Sequence, residues 1–106
     1  MKISNIFKPH PGFEILQTTP RSQSAVMDLS PGESSSEEMN SHPESDQTLV
    51  VLQGMLSAEI ADQKILMHKG DSVTVPAGTP HRFVNICEER VTTFNVYSPP
   101  AYKGEG

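Results

Sequence analysis

The chemistry of this chain concentrates at His81. Gly70–Asn85 reads GDSVTVPAGTPHRFVN and fixes five positions in the pattern G-x5-P-x-G-x2-H-x3-N. Gly70 permits the sharp turn that admits a strand over Ser72–Val75. Pro76 stops ladder pairing, and Pro-Ala-Gly fits a β-turn with Pro at its second position and Gly at its fourth. Pro80 biases Thr79 towards an extended conformation, so the chain leaves the turn straight. His81, Phe83 and Asn85 then alternate with Arg82, Val84 and Ile86. His81 and Phe83 therefore share a face, directed at an apolar interior. A neutral imidazole at the start of such a strand is well placed to bind a metal. The plainer alternative is a hairpin whose histidine only hydrogen-bonds in the core. The glycines, prolines and asparagine in register around His81 favour a site.

The elements that must hold this histidine are strands. Ala25, Met27 and Leu29 alternate in SAVMDL, and β-type runs follow at Thr48–Leu52, Leu56–Ile60, Lys64–Met67, Ser72–Val75, His81–Ile86 and Val91–Tyr97. Gly54, Lys69-Gly70-Asp71 and Glu88-Glu89 punctuate them, and Pro31–Ser41 reads as a polar loop. The tail SPPAYKGEG is too rich in Pro and Gly for a strand. No segment carries an amphipathic helical period. Nine Pro and seven Gly in 106 residues suit many short elements joined by turns. The expectation is one all-β domain spanning residues 1–106, a sandwich or antiparallel barrel.

Charge and composition narrow the function. Net charge is −5, and Ser22–Gln63 holds eight acids with no Lys or Arg. Without a basic patch to neutralise phosphates, nucleic acid is excluded as a partner. The acidic stretch reads as a solvated surface. Cys87 is the single cysteine, so no intrachain disulfide forms. MKISNIFKPH lacks the apolar core of a signal peptide, and no apolar run approaches the ~18 residues of a membrane span. A cytoplasmic setting, away from membranes, is the expectation. His10 and His68 read as surface residues, Cys87 as a packed or half-exposed thiol, and the dispersed methionines as core filler. Tyr97 and Tyr102 are expected to pack against the barrel or a neighbouring subunit.

The Gly70–Asn85 pattern resembles the second signature motif of the cupin β-barrels, where the histidine is a metal ligand. Every fixed position matches. Their first motif, G-x5-H-x-H-x3-4-E-x6-G, also has a counterpart here. Gly54 matches its last glycine, and Gln47 stands where the glutamate ligand belongs. His42 matches the second histidine, Asn40 takes the place of the first, and Gly32 opens the motif with two extra residues inserted. The resemblance covers Gly32–Asn85, about half the chain. It implies a jelly-roll (double-stranded β-helix) fold with a barrel core about residues 22–98. It also implies a metal site formed by Asn40, His42, Gln47 and His81. The usual three histidines and a carboxylate are here two histidines and two amides. The implied cofactor is a divalent ion: Zn, Fe, Mn or Ni. Asn40 and His42, two apart, would face the same way on a strand, and the Pro43–Asp46 turn would return Gln47 beside them. Glu38, Glu44 and Asp46 would supply a carboxylate only if their loop folded inward.

Cupins include dioxygenases, isomerases and sugar-binding proteins, so the fold does not choose the reaction. The leading expectation is a small cupin that binds a divalent metal, a small-molecule ligand, or both, in its lumen. The alternatives are a metal-free sugar or metabolite module, a metal-dependent dioxygenase or isomerase, and a regulatory dimer with a vestigial pocket. Small single-domain cupins tend to dimerise, and ISNIF is the segment expected to pair as an edge strand across a homodimer.

Overall fold

A computed structural model describes residues 2–103; Met1 and residues 104–106 of the tail lie outside the described residues. Eight strands build the chain: β1 (Phe13–Thr18), β2 (Gln23–Leu29), β3 (Asp46–Gln53), β4 (Met55–Ile60), β5 (Gln63–His68), β6 (Ser72–Val75), β7 (His81–Asn85) and β8 (Val91–Ser98). They form two antiparallel sheets, ordered β1-β2-β8-β3-β6 and β5-β4-β7. This is the all-β double-stranded β-helix expected from the strand spacing and the paired motifs.

The six later strands fall on the runs marked by alternation and turn residues. β7 keeps its period, with His81, Phe83 and Asn85 buried and Arg82 and Val84 half-buried. Between the sheets lies a core of Met27, Leu29, Leu49, Val51, Leu56, Ala58, Met67, Val75, Phe83 and Val91. Burial of these side chains, roughly 1.5–3 kcal/mol for each one larger than Ala58, drives the sheets together. Gly54 joins β3 to β4 at φ +86°, and a Cβ there would stand 2.8 Å from Val91 Cγ2 and 3.0 Å from the Arg90 carbonyl. Only glycine satisfies both constraints.

The turn before His81 differs in register from the expectation. The Thr79 N–H donates to the Pro76 carbonyl at 3.1 Å, so Pro76 is the first turn residue and Gly78 the third. Gly78 has φ +79°, the left-handed position a type II turn requires. His10 also departs from its surface reading. Its ring is only 5% exposed and lies 3.5 Å from Asp28 Oδ2, an oxygen that also accepts from Arg90 Nη1 at 3.1 Å. The N-terminal segment folds over this carboxylate and carries the histidine inward. ISNIF forms no strand within the chain; it bends where the Phe7 N–H donates to Asn5 Oδ1 at 2.8 Å. His68 is exposed, as expected. Among the described residues no helix is long and apolar enough to cross a membrane.

Candidate functional site

Backbone pairing brings the two halves of the site together. Asn40 and His81 exchange hydrogen bonds, Asn40 N to His81 O at 2.9 Å and His81 N to Asn40 O at 2.7 Å. The Gly78 N–H donates to the His42 carbonyl at 2.8 Å, and the Ala77 N–H donates to Asp46 Oδ1 at 2.9 Å. The glycine turn of the later segment thus anchors the loop that carries His42. A chain reversal at Pro43-Glu44 then returns Gln47 on β3 to the same space.

All four residues named from the sequence line one cavity of about 290 Å³ at one end of the barrel. Met27, Phe83 and Tyr97 wall it, and Phe13 and Tyr102 form its rim, each 37% exposed. The His42 and His81 rings lie 5.3 Å apart between centroids. His42 also meets Tyr97 and Tyr102 edge-on, at 5.1 and 5.5 Å. Asn40 is exposed at the rim, where its Oδ1 accepts from the Ser41 N–H at 2.9 Å.

The polar groups that line this space keep lone pairs free. His81 Nδ1 is 2.9 Å from the Thr79 carbonyl. A carbonyl only accepts, so Nδ1 carries the hydrogen and a neutral ring keeps its lone pair on Nε2. His42 is held below the ordinary histidine pKa, first by burial and then by His81 beside it, which favours its neutral form. Gln47 is buried and its orientation is set at a distance. Thr93 Oγ1 donates to the Met27 carbonyl at 3.2 Å, so it accepts from Asn95 Nδ2 at 3.0 Å. Asn95 Oδ1 must then face Gln47 and accept from its Nε2 at 3.0 Å. This leaves Gln47 Oε1 buried with no hydrogen-bond partner. A stranded buried acceptor is costly, and a ligand that satisfies it is correspondingly favoured.

Tyr97 and Tyr102 stay protonated. Burial is the first cause of the upward shift in both. The neighbouring phenol raises Tyr97 further and partly offsets the rise in Tyr102. Tyr102 is fixed by Gln23, a side chain 1% exposed. Gln23 Oε1 accepts from the Ala101 and Tyr102 N–H groups at 3.2 and 3.0 Å, and its Nε2 donates to the Tyr102 carbonyl at 2.9 Å. Tyr97 and Tyr102 therefore pack on their own barrel.

Sequence reasoning missed the residues that support the site: Gln23, Thr93 and Asn95. Thr93 and Asn95 alternate with Phe94 and Val96 on β8, and the polar set faces inward. Two polar residues on the same face as Tyr97 were the available signal. Asn85 holds the fold, donating to the Leu29 and Glu89 carbonyls and accepting from the Cys87 N–H. Glu38, Glu44 and Asp46 do not line the cavity. Among the described residues no three His, Cys, Asp or Glu side chains converge to hold a metal.

Comparison with known proteins agrees with this architecture. An uncharacterised protein of Acanthamoeba polyphaga mimivirus is 29% identical over 89 residues, covering 80% of this chain and 54% of that protein. The chain thus spans about half the length of that curated relative. A Bacillus halodurans protein of known structure superposes with TM-score 0.82 at 22% identity, covering 87% of this chain and 73% of that one. An uncharacterised double-stranded β-helix protein of Klebsiella pneumoniae superposes with TM-score 0.81 at 20% identity, covering 98% and 94%. The family model for the cupin domain matches residues 25–97, and this chain belongs to the cupin family.

Proposed function

We propose that the lumen binds a divalent metal ion through His42, His81 and Gln47, and that a small molecule fills the remaining cavity. The observation that carries this reading is the buried, unpartnered Oε1 of Gln47 beside two imidazoles. Three residues with a free lone pair line one cavity, and a water has only two hydrogens to offer them. A cation answers all three. Imidazole nitrogens suit Zn, Ni or Fe, and amide oxygens tolerate them. Asn40 stands at the rim, where it contacts an incoming ligand. Once bound, the ion supplies Lewis acidity at an open position. The chain's residues hold and orient: His81 through Thr79, Gln47 through Asn95, and the aromatic walls by excluding water.

A second reading is a metal-free module for a sugar or metabolite. It is favoured by the lack of a third ionisable ligand among the described residues. In that case a ligand hydroxyl donates to Gln47 Oε1. Elemental analysis of protein purified without a metal-affinity tag separates the two. Near-stoichiometric metal, absent from the His42→Ala, His81→Ala double variant, supports the ion. No metal after growth in supplemented medium, and no uptake on titration, would sink it.

A further inference from the structure

We infer that a second cavity, separate from the lumen, binds an α-amino acid with an apolar side chain, its ammonium held by Asp28 and its carboxylate by Arg90 and Lys8. The inference is independent of the metal reading, because the two cavities share no lining residue among those described.

Strand register builds this site. Asp28 on β2 pairs with Thr92 on β8, and Thr92 pairs with Gln53 on β3. Directly paired residues share a face of a sheet, so the three form a polar row across it. Met27 and Thr93, each one step along its strand, belong to the inner face. The row therefore lies on the outer face of the five-stranded sheet. Residues 6–10 of the N-terminal segment lie over it and leave a cavity of about 390 Å³. That volume falls within the range of small-ligand sites, roughly 300–1,000 Å³. Residues 6–10 belong to no strand, so this cover can yield to admit a ligand.

The charges of this cavity match a zwitterion. Asp28 Oδ2 is engaged, with Arg90 Nη1 at 3.1 Å and His10 Nε2 at 3.5 Å. Asp28 Oδ1 is buried with no hydrogen-bond partner, in a side chain only 11% exposed. A buried carboxylate oxygen without a donor is costly, so a ligand that brings a donor is favoured. A simple anion brings none, whereas an ammonium brings three hydrogens. Arg90 spends Nη1 on Asp28 while its side chain is 61% exposed, and Lys8, also exposed, lines the same cavity. These two cations suit a carboxylate. Because Arg90 and Asp28 are in contact, the two opposite charges of the ligand must also be adjacent. An α-amino acid joins them through a single carbon, and a longer zwitterion would leave one charge unmatched. Ile6, Phe7 and Pro9 supply the remaining, apolar wall, against which the ligand side chain packs.

The test titrates tag-free protein by calorimetry with phenylalanine, with hydrocinnamate, which lacks the ammonium, and with phenethylamine, which lacks the carboxylate. Phenylalanine is expected to bind at least about tenfold more tightly than either, the scale of one charged hydrogen bond. The amide resonances of Lys8, His10, Asp28 and Thr92 should shift on binding, and those of His42 and His81 should not. Asp28→Asn should bring phenylalanine down to the level of hydrocinnamate. If that variant does not fold, Lys8→Ala, at an exposed residue, should weaken both carboxylates by one common factor and leave phenethylamine unchanged. Hydrocinnamate binding as tightly as phenylalanine overturns the inference in favour of a simple anion site. Shifts confined to the lumen, or no saturable binding at millimolar phenylalanine, also overturn it. None of these results touches the metal reading, which elemental analysis decides.

Discussion

At the scale of single residues, the site works by orientation. A threonine hydroxyl two hydrogen bonds away decides which end of Gln47 faces the lumen. Thr93→Val keeps the shape of a fully buried side chain and strands the amide of Asn95. A loss of about 1–3 kcal/mol is expected, read from urea unfolding, together with weaker zinc uptake. His42 sets a pH dependence. Its folded pKa lies below the unfolded value of 6.5 because of burial and then His81. Between those two values the unfolded chain binds a proton that the native chain does not. Stability therefore rises with pH across the window and falls as pH drops below 6.5. The urea midpoint of the metal-free protein should fall between pH 7 and pH 5, and His42→Phe should flatten that fall. Metal uptake should decline over the same range, since a protonated imidazole has no lone pair.

At the scale of elements, glycine turns and strand pairing place the site. Gly54 and Gly70 both have positive φ, but only Gly54 has neighbours where a Cβ would stand. Gly54→Ala should cost about 1–3 kcal/mol more than Gly70→Ala, the overpacking added to a strain both share. Equal costs in chemical denaturation would refute the packing argument. The same contrast shows what was legible in the sequence. Turn glycines and alternating apolar residues mark β3 to β8, because each is a local signal. Asn40, His42, Gln47 and His81 were found through motif spacing, and the fold brings all four to one cavity. Alternation names two faces of a strand without saying which is inside. On β8 it would send Phe94 and Val96 inward, whereas Thr93, Asn95 and Tyr97 are the buried set. His10 was misread for a related reason: a Pro-Gly neighbourhood reads as surface, and its partner Asp28 lies 18 residues away in sequence.

At the scale of the whole molecule, the five-stranded sheet ends at β1, and apolar side chains of the preceding segment stand in solvent. Ile3 is 92% exposed and Phe7 is 71% exposed. A second copy is the expected cover. Sedimentation at micromolar concentration should report a dimer, and Ile3→Ser with Phe7→Ser should return a monomer; a monomeric native protein would reject this. The closure of the cavity is also a molecule-wide matter, since β2 holds the C-terminal tail through Gln23. Gln23→Ala should release Tyr102, seen as faster amide exchange at Ala101 and Tyr102 with the barrel amides unchanged. That tether bears on any extension of the chain. A sequence appended after Gly106 starts five residues beyond a side chain that lines the cavity rim. Appended histidines would reach the opening at a tethered concentration in the millimolar range and compete with His42 and His81 for their ion. A histidine handle at that end should therefore raise the apparent metal content of the protein, and its removal should return that content to the native value.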